Sequence, residues 1–322
     1  MKRKAVIAGI VLAVLLAECG VRFGRDGTDP EGAGVDFVFD AYHLDSRLLR
    51  RAMIQGGGFE DAGAWMSINA QGRRGTSDHE IARVPGVARV VVVGTGNAYG
   101  FRVPDGATWP EQLEERLEGA EVLNLAYPGS TVVYLDRSIA AEAIALTPDV
   151  VVISYAGYNE ALLGDAPETQ VVDPDAWIAN TLRGSALVRF AESLGHRARR
   201  RLTGATRVPH VDVPTYERLL GAQVDRFRAA NIAVVFVQEV VVYPDVPGFW
   251  RLADMDGFHA AMDRVADAKG VPVFDPAAVL PPAGPEREAL FVSRLIYGPR
   301  ACARIGEGLA PVVAPLLSTI PP

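Results

Sequence analysis

Runs of apolar residues alternate with amphipathic stretches over most of the chain, and the order of the two kinds is regular. Ala88–Val93 is a Val-rich run without polar alternation, the pattern of a strand buried on both faces. Thr108–Leu117 reads as a helix. Thr108 is its cap, with Glu111 three residues on at capping-box spacing. Glu121–Leu125 then reads as a strand, Val133–Ala145 as a helix and Asp149–Ser154 as a third strand. A helical stretch from Asp173 to Leu202 follows, with Asp173 at the cap and Pro174 at the first helical position. Thr215–Ala230 is a helix stopped by Asn231, and Ile232–Gln238 a fourth strand. Gly257–Lys269 is a helix with Gly270 just past its end, Val271–Asp275 a fifth strand, and Pro299–Leu317 the last helix. Strands and helices in strict alternation predict a parallel sheet covered on both faces, a three-layer α/β/α sandwich. No internal repeat or low-complexity tract interrupts it.

The segment before this rhythm has a different character. Lys2, Arg3 and Lys4 precede an apolar run from Ala5 to Ala17, the pattern of an export signal with its basic end in the cytoplasm. The run is shorter than the ~20 residues a spanning helix needs, but it reaches Phe23 if Glu18 and Arg22 sit at the far interface. No small-x-small cleavage site is clear. Leu16-Ala17-Glu18-Cys19 has Glu18 where a lipoprotein box needs a small residue. The preferred reading is an uncleaved signal anchor over 1–23, ahead of a cleaved signal and of a lipoprotein, with the rest of the chain on the extracytoplasmic, periplasmic side. Residues 24–87, rich in Gly, Asp and Arg, read as a linker and an irregular, extended layer, and 88–322 as the main domain.

Composition narrows the partners. The 322 residues are 49% hydrophobic, enough for a substantial core. The net charge of −7 argues against nucleic acid, whose phosphates need a basic face. The basic run Arg197, Arg199, Arg200 and Arg201 is read as a solvated or juxtamembrane helix end. Two cysteines, Cys19 and Cys302, supply neither a disulfide within the main domain nor a CxxC metal site. His43, His79, His196, His210 and His259 form no zinc-ligand spacing. The expectation is therefore no metal and no cofactor.

Ligands of open parallel sheets bind beyond the carboxyl ends of the strands, and three strand exits here are rich in glycine and polar groups. The first is Gly94-Thr95-Gly96-Asn97-Ala98-Tyr99-Gly100. The second is Ala126-Tyr127-Pro128-Gly129-Ser130-Thr131, and the third Tyr155-Ala156-Gly157-Tyr158-Asn159-Glu160. Backbone N–H groups at such glycines, with the Asn159 amide, would form an oxyanion hole if they converge. The order and spacing of these blocks, with Leu290-Phe291-Val292, Tyr297-Gly298-Pro299 and Gly306-Glu307-Gly308-Leu309 near the end, resemble the SGNH/GDSL hydrolases. So do the flanks, Asn69 to Gly75, Phe101-Arg102-Val103-Pro104-Asp105 and Thr108-Trp109-Pro110. The resemblance runs from about Val87 to the C-terminus and implies the flavodoxin-like winding of that family, with five parallel strands in the order 2-1-3-4-5.

Carried over position by position, the resemblance places Gly94 at the Gly of the family's Gly-Asp-Ser block, Thr95 at its Asp and Gly96 at its nucleophilic Ser. Gly129 and Asn159 match the oxyanion-hole donors, and Glu160 replaces the third block's Asp. Ser293 sits at the triad Asp and Ile296 at the triad His. Acyl transfer to Ser needs a hydroxyl, a base within hydrogen-bond reach and a group orienting that base. All three positions are vacant, and no His follows His259. The expectation is a catalytically inactive member with a retained pocket at Gly96, Gly129, Asn159 and Thr95, binding an envelope glycan, lipid or protein. The alternative is an esterase or O-acetyl transfer enzyme working through a rearranged site. A third possibility is a structural anchor whose pocket is filled by Ile296 and Tyr297.

Several residues are read structurally. Thr95 is taken as a turn residue whose hydroxyl bonds nearby backbone. Ser130 and Ser154 are taken as structural, His259 as a surface or packing residue, and Asp275 as a turn residue. Trp65, Trp109, Trp177 and Trp250 are read as packing residues. A dinucleotide-binding reading of Gly94-x-Gly96 fails because Val103-Pro104-Asp105-Gly106 breaks the chain before any helix, and the second strand ends without an acid.

Overall fold

In the computed structural model the Val-rich run becomes the middle of a parallel sheet because it has no polar position to turn toward water. The structure describes residues 57–61, 63–76, 78, 82–161, 163–164, 208–242, 255–293 and 295–317. They belong to a unit formed by Arg50–Thr169 with Val208–Pro322. The anchor at 1–23, the helical stretch from Asp173 to Leu202, the basic run, Trp177 and Trp250 lie outside the described residues.

The chain begins with an antiparallel pair, β1 (Gly57–Asp61) and β2 (Ala64–Ile68). β3 (Ala88–Gly94) leads through a one-turn helix α1 (Gly96–Tyr99) to α2 (Trp109–Glu114) and β4 (Ala120–Asn124). The predicted helix after β4 is α3 (Val132–Tyr134), a π-turn (Leu135–Ile139) and α4 (Ala140–Ala145) in succession. Then come β5 (Val150–Ser154), α5 (Tyr158–Ala161) and a two-residue ladder of β6 (Leu163–Gly164) with β7 (Val208–Pro209). α6 (Val213–Ala229), β8 (Ala233–Val237), α7 (Met255–Lys269) and β9 (Val273–Phe274) complete the rhythm, followed by α8 (Pro285–Glu288) and α9 (Pro299–Leu317).

The sheet order is β4-β3-β5-β8-β9, all pairs parallel, which is the predicted 2-1-3-4-5 order. Right-handed crossovers dictate the layers. The step from β3 to β4 runs one way along the sheet and every later step the other, so α2 lies on one face and α3–α4, α6 and α7 on the opposite one. α9 packs on α2, while α6 packs on α7 and touches α3. Val90, Val91, Val92 and Val93 and Val150, Val151, Val152 and Ile153 are fully buried between these layers. At about 25 cal/mol per Å² of apolar surface, such strands supply most of the force that holds the sheet together.

Three local expectations need correction. The part of 24–87 that is described is not simply irregular: β1 and β2 form a hairpin, with Ala64, Met66 and Ile68 facing in and Trp65 out. A helix does open directly on the glycine loop, since Thr95 is extended and starts α1, and Gly100 at φ 76° ends it after one turn. It is too short to carry the dipole of a dinucleotide site. The fifth strand is only two residues long, because Asp275 turns at once into a 3-10 helix, its carboxylate accepting the Ala277 N–H at 2.8 Å. The capping box at Thr108 and Glu111 forms as predicted.

Candidate functional site

The carboxyl ends of β3, β4 and β5 meet because Gly94 lets them. A Cβ on Gly94 would lie 2.6 Å from the Ser154 carbonyl oxygen and 2.9 Å from the Ala98 Cβ. That close approach allows the Thr95 N–H to donate to the Ser154 carbonyl at 3.3 Å and the Tyr127 N–H to the Gly94 carbonyl at 2.9 Å. The first and second blocks are further tied by Asn124, whose amide donates to the Ala98 carbonyl at 2.8 Å. Ser130 has the structural role expected of it, its hydroxyl lying 2.8 Å from both the Gly94 and the Tyr127 carbonyls. Ser154 is buried on its strand.

Gly96, Gly129 and Asn159 come together at this rim. A Cβ on Gly96 would sit 3.7 Å from the Cα of Pro128, the residue before Gly129. The Asn159 amide donates to the carbonyl of Ser130, the residue after it, at 2.8 Å. One amide hydrogen is thus used inside the protein, leaving the second as the donor the site could offer. Gly129 has φ 71°, a left-handed conformation that suits glycine. Neither the Gly129 nor the Gly96 N–H meets a backbone acceptor among the described residues; the latter opens α1, where no intrahelical acceptor exists. Glu160, fully buried, accepts the Val132 N–H at 2.8 Å and so closes the start of α3.

Ile296 lies against this group. Its Cδ1 is 3.5 Å from where a Cβ on Gly96 would be. The positions read as nucleophile and base are therefore neighbours, and they hold a hydrogen and an alkyl chain. Ser293 is half-buried, and its hydroxyl accepts the Leu295 N–H at 3.4 Å. Tyr297 is buried, its N–H donating to Asn97 Oδ1 at 3.1 Å and its hydroxyl accepting the Val240 N–H at 2.7 Å.

Thr95 departs from its reading. Its hydroxyl donates not to backbone but to the carboxyl of Glu239, at 2.5 Å from Oε1. Both side chains are buried, and among the described residues Glu239 Oε2 has no hydrogen-bond partner. Burial pushes the Glu239 carboxyl up to about 7, against hydrogen bonds from Thr95 and Asn97 that pull it down. Sequence reading missed Glu239. The available signal was an acidic residue two positions past a fully apolar strand, at the rim where the other blocks lie. His259 is partly buried and hydrogen-bonded to the Ala156 backbone, and burial lowers its pKa. Trp109 is buried as expected, whereas Trp65 is half-exposed. No group of His, Cys, Asp or Glu among the described residues is arranged to hold a metal ion.

The family model for the GDSL-like lipase/acylhydrolase family matches residues 91–294. The chain belongs to the GDSL-like lipase/acylhydrolase family. The match spans Thr95, Gly96, Gly129, Asn159 and Ser293 and ends two residues before Ile296. Among curated protein sequences none matches the chain. Solved structures similar to it include a lipolytic protein of the G-D-S-L family from Desulfitobacterium hafniense, at 18% identity and TM-score 0.48, covering 70% of this chain and 99% of that one. A carbohydrate acetylesterase family member from Sinorhizobium meliloti is 14% identical with TM-score 0.48, covering 72% of this chain and 100% of that one. The esterase EstA from Pseudoalteromonas is 14% identical with TM-score 0.46, covering 71% and 98%.

Proposed function

We propose that this GDSL-family chain does not turn over esters by the Ser–His route and serves as a binding or scaffold protein of the cell envelope. Its strand-end site offers the N–H groups of Gly96 and Gly129 and the free amide hydrogen of Asn159 to an oxygen of a glycan, lipid or protein ligand. The observation that carries the reading is the contact of Ile296 with Gly96, which fills the place of a hydroxyl and its base with groups that neither donate nor accept a proton. Loss of triad members costs about 10⁴–10⁶ in rate, so no useful turnover survives. Envelope location rests on the Lys2-Arg3-Lys4 cluster and the apolar run behind it. Among the described residues no helix is long and apolar enough to cross a membrane; the expected anchor lies outside them.

A second reading has one observation in its favour. The Thr95 hydroxyl already donates to a carboxyl that could take its proton, so hydrolysis through Thr95 and Glu239 is the form a rearranged site would assume. Against it, both side chains are almost wholly buried. Hydrolysis of an aryl acetate by the full-length chain, beside Asn159→Ala and Thr95→Val, decides between the two. No turnover above background in any of the three supports the binding protein. Turnover that falls in both variants would establish the rearranged enzyme instead.

A further inference from the structure

Beneath the Gly96 position lies a buried polar network, of which the second reading of the site uses only the Thr95–Glu239 pair. Glu239 leaves the carboxyl end of β8 and reaches Thr95 at the end of β3, across the exit of β5. Asn97 is hydrogen-bonded to the same carboxyl and accepts the Tyr297 N–H. Tyr297 in turn accepts the N–H of Val240, the residue after Glu239. Three segments that frame the site, 95–97, 239–240 and 296–297, are therefore closed into a ring of hydrogen bonds. Glu239 is its only carboxyl.

The groups facing Glu239 are uncharged. Tyr158 on α5, Tyr216 on α6 and Tyr297 all feel its charge and are all phenols, kept neutral by burial. Further carboxyls surround these phenols: the buried Glu160 and Asp263 on α7 act on Tyr216, and Asp275 after β9 on Tyr297, with Asp263 accepting from the Gln238 amide at 2.8 Å. Among the described residues, burial and the hydrogen bonds of Thr95 and Asn97 are what set the proton affinity of Glu239. Among the described residues one carboxyl oxygen, Oε2, has no hydrogen-bond partner, and a negative charge there is costly in a dry interior.

We propose that Glu239 is a proton-operated latch: neutral, it holds the ring closed, and ionised, it loosens the three segments and opens the face that carries Gly96 and Ile296. The changeover falls near pH 7, where burial has placed the carboxyl. The sign follows from linkage. The folded-state value lies above the ~4.3 of an unfolded Glu. The stabilisation is therefore complete below that unfolded value and is lost as pH rises through about 7. The inference does not depend on whether the site binds a ligand or hydrolyses one.

The test is amide hydrogen exchange on the full-length chain and on Glu239→Gln, at about pH 5.5 and about pH 8.5, corrected for intrinsic rates. A Gln keeps the shape and the hydrogen bonds and cannot ionise. In the wild type, protection at Thr95, Val240 and Tyr297 should fall by at least ~10-fold at the higher pH, since each pH unit raises the ratio of ionised to neutral carboxyl tenfold. Protection at Val92, in the middle of the sheet, should stay well above that of these three amides at both pH values, and the variant should show no such pH-dependent loss at any of the four. Protection at the three as high as at Val92, no loss in the wild type, or the same loss in the variant would overturn the latch. Should the variant not fold, the wild type decides alone. An infrared band of a buried protonated carboxyl that vanishes through neutrality together with the protection supports it, and a carboxyl already ionised at pH 5.5 overturns it.

Discussion

Two glycines separated by one residue should respond in opposite ways to gaining a side chain. At Gly94 a Cβ would lie 2.6 Å from the Ser154 carbonyl oxygen and 2.9 Å from both the Ala98 and Ser154 Cβ atoms. None of these is the tip of a flexible chain, so the exit of β3 must move away from β5. Overpacking of this kind costs about 1–3 kcal/mol, and weakening the Thr95–Ser154 hydrogen bond adds about 1 kcal/mol. Gly94→Ala should therefore lose about 2–4 kcal/mol. At Gly96 the nearest atoms to a new Cβ are Ile296 Cδ1 at 3.5 Å, the Pro128 Cα at 3.7 Å and the Phe101 Cβ at 3.9 Å, all ordinary contacts. Gly96 opens α1 and is not among the residues of positive φ. Gly96→Ser should thus change stability by less than about 1 kcal/mol. It should also leave the chain without esterase activity, because Ile296 is no base. Urea unfolding of the two full-length variants, read as a midpoint shift at constant slope, measures the difference. A Gly96→Ser loss as large as that of Gly94→Ala would refute the reasoning, for it would mean that the site cannot house the hydroxyl and that the glycine is there for space. Aryl-acetate turnover by Gly96→Ser alone would refute the vacancy of the base position.

Two further outcomes follow from the geometry. Arg89, fully buried, donates from Nε to Glu121 at 2.7 Å and from a terminal nitrogen to the Leu146 carbonyl at 2.8 Å; Arg89→Ala should cost about 3–5 kcal/mol by thermal or urea unfolding, because it strands the partners of a buried charge. Acetamide, as a small neutral carbonyl probe, should shift the amide NMR resonances of Gly96 and Gly129 in the wild type and not in Asn159→Ala; shifts of equal size in the variant would remove Asn159 from the site.

Legibility in the sequence tracked how local each determinant was. β3 and β5 were readable because nothing but burial explains four successive valines or Val150–Ile153, and strict alternation with helices then leaves few topologies. α9 was readable at both ends although Pro311 and Pro315 lie within it, because Ala301, Cys302, Ile305, Leu309 and Val313 keep one buried stripe. β2 was missed for the converse reason. Its alternation is real, but its outward position holds Trp65, so a strand of half-buried pattern looks unpatterned by hydrophobicity. The site divides in the same way. Gly96, Ser293 and Ile296 were matched to hydroxyl, acid and base positions by resemblance, one position at a time, and the structure places Ile296 beside Gly96. The Thr95–Glu239 bond could not. Its partners stand 144 residues apart on strands that are not neighbours, and no spacing rule links them. What the fold adds is the carboxyl of Glu239, which follows β8 and reaches Thr95 at the exit of β3, so a buried polar pair lies beneath the glycine loop.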